Sequence, residues 1–585
     1  MMFFQETVVK GLLPVLLAGH VVLAAIDGHC PPLGAVLPAP TSPSTNQAVQ
    51  SAVATINTVF QATTSALNTT AISLSVKSIH ENTPLLDLHY TPPSLNTSGT
   101  TSVDAQTIYR VGSISKIFPV LALLTQKSVR LDDPITKYVP ELLQLKGETG
   151  DEVNDITTVQ WDHVTLGALA SHMSGISSDL VNDLASYPID WTQFGLPVLG
   201  DESKTGCAGI FGLPSCNRTE FFRDFGKRHP VFAPFSPNAV YSNVASSILG
   251  FAVEAITNMT YDAFIHQSIL APLGMTNTTI SNPPSNNAWG FIPTGNTWWG
   301  DSLGYEDMAG GFYSNTVDLL ALGSGILQHQ LLDAVTTRKW MKPVTSTSST
   351  GLLLGGPWEI LRSDNVTKDQ RLVEFYTKSG NVDAWNNILV LVPDYDLVLT
   401  LLTAGGESSS NLVEAALTQV VRALLPAVED AGKAEAAASF AGTYNDAATN
   451  SSVTLAADAD DHAPGLAVTS WVANGLDILA NYGSLASGGS SASDVAVSVR
   501  LYPTGLKAGS SAAWRAVFDV GTPAQLAEKD ASTFWAKSSC HTWANMDRFV
   551  YGFRSMDEFI FDVNDDGTAR GLGLRAFQVN LERES

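Results

Sequence analysis

Two apolar runs, Asn387–Val392 and Leu397–Thr403, flank the four residues Pro393-Asp394-Tyr395-Asp396. Proline presets the first turn dihedral and aspartate caps the reversal, so this stretch is predicted to be a β-hairpin. Strand-like alternation also occurs far upstream, at Ala71–Val76 and Leu85–Tyr90. Residues 46–68 space their apolar side chains as a helix does, and Asn411–Leu425 does the same after the hairpin. Strands at both ends of one long unit, each beside a terminal helix, predict an antiparallel sheet closed by both ends of the domain. Residues 113–330, between them, read as mostly helical and loop-rich.

After Glu429 the composition changes. AGKAEAAASF leads into short alternating strands broken by ADADD and GSLASGGSSAS, so residues 438–585 are predicted to form a separate small β-domain. The fold class expected is therefore α/β of the α+β kind, with a catalytic-sized domain over 46–429 and a β-domain behind it. A chain of 585 residues with 44% hydrophobic side chains can bury large cores, which excludes disorder as its main state. Its 32 Lys and Arg against 56 Asp and Glu leave a net charge of −24, which disfavours a nucleic-acid partner.

Residues 11–25, GLLPVLLAGHVVLAA, follow Lys10 and end in small side chains. This reads as a secretory signal over 1–25, cleaved near Ala24 or Ala25, since the run is shorter than the roughly 20 residues a membrane span needs. No membrane association is expected after cleavage. Residues 26–45, rich in Pro and Ser from 31 onward, read as a linker. An extracellular destination favours paired cysteines. Cys207 and Cys216 enclose a short loop and are expected to pair; Cys30 and Cys540 are left over, and either tie the mature N-terminus to the C-terminal region or stay as free thiols. Seven N-x-[ST] sequons, at Asn68, Asn96, Asn217, Asn258, Asn277, Asn365 and Asn450, permit a glycoprotein.

The chemistry concentrates at Tyr109-Arg110-Val111-Gly112-Ser113-Ile114-Ser115-Lys116, followed by IFPVLALLTQ. A helix apolar on every face must be buried, and the i, i+3 spacing stacks Ser113 and Lys116 on one side of it. Burial penalises the charged amine, so Lys116 is expected to titrate low enough to take the Ser113 proton. Pro119 inside this helix removes an N–H and makes a kink an expectation. Tyr-Ser-Asn occurs twice, at 241–243 before a long apolar helix and at 313–315 inside AGGFYSNTVDLLALG. Lys-[ST]-Gly also occurs twice: Lys204-Thr205-Gly206 in a loop, and Lys378-Ser379-Gly380 after the strand-like Phe375-Tyr376-Thr377.

S-x-x-K, Y-x-N and K-[ST]-G in that order resemble the serine β-lactamase and penicillin-binding-protein superfamily, most closely its class C and esterase-like branch. APLGM at 271–275, LDDPITKYVPEL at 131–142 and VTLGALASHMSGI at 164–176 are similar to flanking segments of that family, so the resemblance covers roughly residues 50–425. It implies the β-lactamase/transpeptidase-like fold. It assigns Ser113 as nucleophile, Lys116 and Tyr241 as managers of its proton, and Asn243 as the group orienting Lys116 and a substrate amide. Lys378 and Ser379 would serve a substrate carboxylate or Tyr241, from an edge strand facing the cleft. The backbone N–H groups of Ser113 and of Asn381, after Gly380, would hold the oxyanion. Tyr313 is assigned to packing, and the 204–206 copy matches in letters alone.

The implied activity is that of a secreted serine hydrolase acting through an acyl-enzyme on a small ester, lactone or β-lactam-like amide. No cofactor or metal is called for, and the partner expected is a small-molecule acyl substrate. An acyltransferase tailoring a secondary metabolite and a silent ligand-binding homologue are the alternatives. A Ser-His-Asp hydrolase is the rival chemistry, yet His172 falls in a segment resembling a structural loop of the family. Asp562-Val563-Asn564-Asp565-Asp566-Gly567 opens like a calcium loop but has Gly573 at its twelfth position, which favours a plain turn.

Overall fold

The computed structural model describes residues 30–145, 153–180, 183–208, 213–295, 298–457, 463–487 and 496–584. The secretory signal expected at 1–25 lies outside the described residues. The chain divides into two compact units: residues 53–362 with 374–421, and residues up to 52 with 363–373 and 422–585.

The first unit is built on an eight-stranded sheet. Its order is Leu86–Tyr90, Ala71–Ser78, Leu397–Ala404, Trp385–Val392, Val373–Val382, Glu359–Ser363, Leu352–Leu354 and Thr345–Ser346. The hairpin around Pro393 forms as expected, with Asp396 taking the left-handed conformation that closes the turn. Ala71–Ser78 runs antiparallel to its second strand, in a register from Ala71 opposite Ala404 to Ser78 opposite Leu397. Both ends of the domain therefore meet inside one sheet. Every residue of Trp385–Val392 and Leu397–Ala404 is buried, so these strands are apolar on both faces. Helix Thr316–Leu327 comes close enough that a Cβ on Gly323 would lie 2.4 Å from a methyl of Val398. Helices Ile117–Leu124 and Asn243–Thr257 share the largest apolar core with the sheet.

One expectation about this sheet is corrected. Val373–Val382, which carries Lys378, is an interior strand and not an edge strand, because Glu359–Ser363 and two further strands continue the sheet beyond it. Those strands are two to five residues long, too short for alternation to mark them in the sequence.

The second unit is a closed barrel. Eight strands between Gly442 and Arg583 follow one another around it, and Ser451–Ala456 closes the ring on Leu466–Ala473. Alternate burial along Ser451–Ala456 points Ser451, Val453 and Leu455 inward, toward Trp471, Trp514, Phe559 and Phe561. Asp562 and Val563 end strand Glu558–Val563, and 564–568 turn into strand Ala569–Leu574, with Gly567 at φ +87°.

Two boundaries differ from the sequence reading. The described part of the segment read as a linker, residues 30–45, is packed structure: Leu37 belongs to the barrel-side core, Val36 is buried against Tyr502 and Val517, and Glu435 accepts from Thr41 N–H at 2.8 Å. Cys30 is bonded to Cys540, which ties this segment to the unit by a second route. The helix read as Asn411–Leu425 extends over Ser410–Phe440, through Pro426 and the alanine-rich stretch. It is long and apolar enough to cross a membrane by length and composition, but its Val420, Leu424, Leu425 and Val428 are buried in protein. Near its middle sits a buried cluster of titratable groups. Glu429 accepts from Lys368 N–H at 3.1 Å and lies beside Asp369, which Arg371 approaches at 3.4 Å.

Candidate active site

Gly112–Lys116 is a 3-10 turn that leads into helix Ile117–Leu124. Three residues per turn eclipse positions i and i+3, and Lys116 Nζ donates to Ser113 Oγ at 2.9 Å. The expected kink at Pro119 does not arise. Pro119 is the third residue of the α-helix, where an N–H has no intrahelical acceptor to lose.

Lys116 is fully buried and also donates to Asn243 Oδ1 at 2.7 Å and to the Ala309 carbonyl at 2.9 Å. Burial lowers its pKa, and Lys378 adds to the effect against the opposing pull of Tyr241. Asn243 is fixed from both ends. Its Nδ2 donates to Asp179 Oδ2 at 2.7 Å, and its N–H donates to the Ser178 carbonyl at 2.7 Å. Ser242 caps helix Asn243–Thr257 by accepting from Ala245 N–H, while its own Oγ donates to the Ser177 carbonyl. Behind Asp179 lies Glu306, a buried carboxyl hydrogen-bonded to it; burial first, and then the Asp179 charge, push Glu306 well above the usual carboxylate range.

The Tyr241 hydroxyl lies close to Lys116, Lys378 and Ser113, all of which act to lower its pKa. Lys116 Nζ and Lys378 Nζ lie 4.9 and 5.3 Å from its ring centroid. Burial of the hydroxyl raises its pKa, but the two ammonium groups outweigh that and hold it below the ordinary phenol value. The residue as a whole stays 42% exposed, so part of it is open to a ligand. His172 packs against Tyr241 with ring centroids 4.5 Å apart, and its Nδ1 accepts from Ser242 N–H at 3.2 Å. Burial, with Lys116 and Lys378 nearby, lowers His172 to about 3, so it is a neutral wall that positions Tyr241.

Lys378 and Ser379 lie on strand Val373–Val382, and Glu359 of the next strand meets them both. Lys378 Nζ is hydrogen-bonded to Glu359 Oε1. Ser379 N–H and Ser379 Oγ both donate to Glu359 Oε2, at 2.9 and 2.7 Å. Burial opposes the charge on Lys378, but Glu359 outweighs it and keeps the ammonium above its ordinary pKa. Alternate residues of a strand direct their N–H groups to the same edge. Ser379 N–H points to Glu359, away from the Trp385–Val392 partner, so Asn381 N–H leaves the strand on that same side.

There it meets the nucleophile segment. A Cβ on Gly112, at φ +56°, would lie 2.7 Å from Asn381 N, and a Cβ on Gly380 would lie 2.0 Å from the Val111 carbonyl and 2.9 Å from Ser113 N. The two backbones approach so closely that neither contact position admits a side chain. The Ser113 and Asn381 N–H groups thereby come together beside Ser113 Oγ, where donors for a developing oxyanion are needed. The Asn381 side chain is turned elsewhere, donating to Asn386 Oδ1 and to Ser410 Oγ.

The structure thus brings together Ser113, Lys116, Tyr241, Asn243, Lys378, Ser379, Gly380 and Asn381. Tyr313 is fully buried and donates to the Trp299 carbonyl, while Asn315 caps helix Thr316–Leu327. Thr205 donates to Asp224, which fixes the 204–206 loop apart from the strand. A Gly-x-Ser-x-Gly at 300–304 went unnoticed in the sequence; its Ser302 donates to Asp307 Oδ2 at 2.6 Å in a loop before a 3-10 turn, without the strand-to-helix elbow that such a nucleophile needs. Cys207 and Cys216 are bonded to each other. Of the sequon asparagines, Asn68, Asn217, Asn258, Asn365 and Asn450 are exposed, whereas Asn96 and Asn277 are half-buried and donate to Pro293 O and Gln106 Oε1. Sequence reasoning missed Asp179, Glu306 and Glu359. Their motif-free surroundings carried no signal, because each matters through a partner distant in the chain.

An antiparallel sheet closed by both ends of its domain, with a Ser-x-x-Lys turn against one strand, defines the β-lactamase/transpeptidase-like fold. Residues 60–422 match the family model described as Beta-lactamase, and the chain belongs to that family. Residues 432–585 match the model described as Beta-lactamase-like-like, C-terminal domain, which coincides with the barrel. A "Beta-lactamase-like protein" of Arthroderma benhamiae is 29% identical over 95% of this chain and 96% of its own length. "Probable hydrolase M10" of a Phoma species is 26% identical over 76% of this chain and 72% of its own length. "Probable hydrolase clz13" of Cochliobolus lunatus is 27% identical over 72% and 69% respectively.

Proposed function

We propose that this chain is a secreted serine hydrolase that forms an acyl-enzyme on Ser113 from a small ester, lactone or β-lactam-like amide. The observation that carries the reading is the buried Lys116 amine 2.9 Å from Ser113 Oγ, with the Tyr241 ring 4.9 Å from that amine and its phenol held below the ordinary value. The Ser113 proton passes to the Tyr241–Lys116 pair as Oγ attacks the carbonyl carbon. The carbonyl oxygen takes up the negative charge between the N–H groups of Ser113 and Asn381. When the tetrahedral species collapses, the bond to the leaving group breaks and the stored proton returns to that group. Water then enters the same place, gives a proton to the same pair and attacks the acyl carbon; the Ser113 Oγ–carbon bond breaks, the proton returns to Oγ, and the acid leaves. Lys378 keeps its charge beside Tyr241 and favours the phenolate throughout.

Relatives named as probable hydrolases favour water as the acceptor over a second metabolite. Two disulfides and five exposed sequon asparagines favour secretion and glycosylation, in keeping with the apolar run at 11–25. The test is intact-mass analysis after exposure to a fluorophosphonate and to a penicillin, with Ser113→Ala as control. One adduct that maps to Ser113 and vanishes in the variant is expected. A folded protein that takes up neither reagent would leave a ligand-binding homologue in place of an enzyme.

A further inference from the structure

The barrel unit has a cavity of its own, of about 170 Å³, between strand Ser511–Val520, helix Ile478–Ala486 and the segment 542–549. Aromatic rings wall it. Tyr482 stacks on Phe518 with ring centroids 4.8 Å apart, and Phe549 meets Tyr482 edge-on at 6.2 Å. Phe518 stacks in turn on Trp471 of the barrel core, which anchors that wall. Met546 and Met556 line the same space, and thioethers pack well against aromatic rings. Charge at the mouth is one-sided. Asp547 and Asp557 are both turned to Arg515: Asp547 Oδ1 accepts from it at 3.2 Å, while Asp557 accepts from it, from Ser555 Oγ at 2.6 Å and from Asp547 N–H at 2.7 Å. Asp547 takes the left-handed backbone, φ +60°, and the reversal sets Met546, Arg548 and Phe549 around one cavity. Arg548 is exposed and donates through Nη1 to the Ala544 carbonyl at 3.2 Å, but no carboxylate among the described residues pairs with it. A guanidinium has five N–H donors, so most of its capacity stays open, next to Asn545 on the same rim.

We propose that this cavity binds a small aromatic carboxylate, with its ring among Tyr482, Phe518 and Phe549 and its carboxylate on Arg548. An apolar cavity of about 150 Å³ holds one benzene ring, so the space here takes one six-membered aromatic ring and little more. A long acyl chain exceeds it. A sugar ring would bring more hydroxyls than Arg548 and Asn545 can satisfy, against walls that are mostly hydrocarbon. An inorganic anion would meet Arg548 and leave the aromatic walls in water, and a neutral aromatic ring would leave the guanidinium unused. A ring bearing one carboxylate matches both parts, since the planar guanidinium fork fits a carboxylate. The site stands independently of Ser113, on residues of the barrel unit alone.

The test is a fluorine NMR titration of the full chain with 3-fluorobenzoate and with 3-fluorobenzyl alcohol, which share a ring and differ in charge. Wild-type protein is expected to bind the benzoate with a Kd on the order of a millimolar, as suits so few atoms. The alcohol should bind about tenfold more weakly, the low end of what a charge-assisted hydrogen bond contributes. Arg548→Gln, at an exposed position, should erase that preference. Phe549→Ala should weaken both ligands by about threefold to tenfold, through loss of one aromatic wall. Melting temperatures on the same samples identify a variant that has not folded, and Arg548→Gln decides alone if Phe549→Ala is such a one. Failure of wild type to bind the benzoate, or equal affinity for the two ligands, overturns the proposal. So does a preference that survives Arg548→Gln, which is the result that benzoate held near Lys378 would give. A folded Phe549→Ala protein that binds both ligands as wild type does overturns it as well.

Discussion

Gly380→Ala tests the geometry on which the oxyanion donors depend. The added methyl would sit 2.0 Å from the Val111 carbonyl, where ordinary contact begins at 3.4 Å, so strand and turn must separate by about 1.4 Å. Ser113 N and Ile114 N, at 2.9 and 3.0 Å from the same position, block the sideways escape. All three obstacles are backbone, which cannot rotate aside as a side-chain tip can. Overpacking of this kind costs about 1–3 kcal/mol of stability. The larger effect falls on rate. Displacing one donor by more than an ångström weakens a hydrogen bond that is strongest in the transition state, and loss of such a donor lowers kcat by about 10²–10³-fold. Hydrolysis of a neutral 4-nitrophenyl ester, measured with the melting temperature on the same sample, reads both. A lowered melting temperature with unchanged kcat would refute the assignment of Asn381 N–H as an oxyanion donor. Wild-type values for both would refute the close approach itself.

Tyr241→Phe is expected to lower kcat by about 10²–10⁴-fold, as loss of a general base does. In the wild type, kcat/KM should fall as pH drops through the lowered Tyr241 pKa, and this limb should vanish in the variant's pH–rate profile. Burial first, and Asp369 second, raise Glu429 from an ordinary 4.5 to about 8, so the folded chain holds a proton that the unfolded chain releases. Stability should therefore decline as pH rises from about 4.5 to about 8, and Glu429→Gln should flatten that decline in urea midpoints taken across the range; parallel curves would refute it. Cys540→Ser opens a link between residues 510 apart, against nine for Cys216→Ser. Chain entropy alone makes the first change the more destabilising by ~3.5 kcal/mol, readable from the same midpoints.

The sheet's two long neighbours and the order of the three motifs were legible because each is a local pattern. An apolar run around a Pro-Asp turn announces a hairpin, and the Ser113–Lys116 spacing stacks two side chains on any helical turn. The segment after Cys30 misled because proline and serine suggest a linker, whereas burial of Val36 and Leu37 depends on surfaces formed hundreds of residues later. Composition also placed a boundary near 429–438, where helical propensity carries the chain on to Phe440. The interior place of Val373–Val382 was hidden for a related reason. Glu359–Ser363 is five residues long, and its pairing is visible through Thr377 Oγ1 donating to the Glu359 carbonyl, a contact no periodicity encodes. Asn243 was found by motif, but the Asp179–Glu306 pair that fixes it was not, since two carboxyls far apart in sequence carry no shared spacing.

Pairing of Ala71–Ser78 with Leu397–Ala404 also sets a timetable for biosynthesis. A ribosome adding roughly 5–20 residues per second leaves the first strand waiting on the order of half a minute for its neighbour. During that interval the Ser113 turn exists without the strand that supplies Asn381, so no growing chain shorter than about residue 404 can hold an assembled site. One side of Ala71–Ser78 has its hairpin mate Leu86–Tyr90 from the start, while the other presents unpaired N–H and C=O groups. The sequons at Asn68 and Asn96 bracket this exposed edge. Until its own partner arrives, that edge is a template on which another nascent strand can pair.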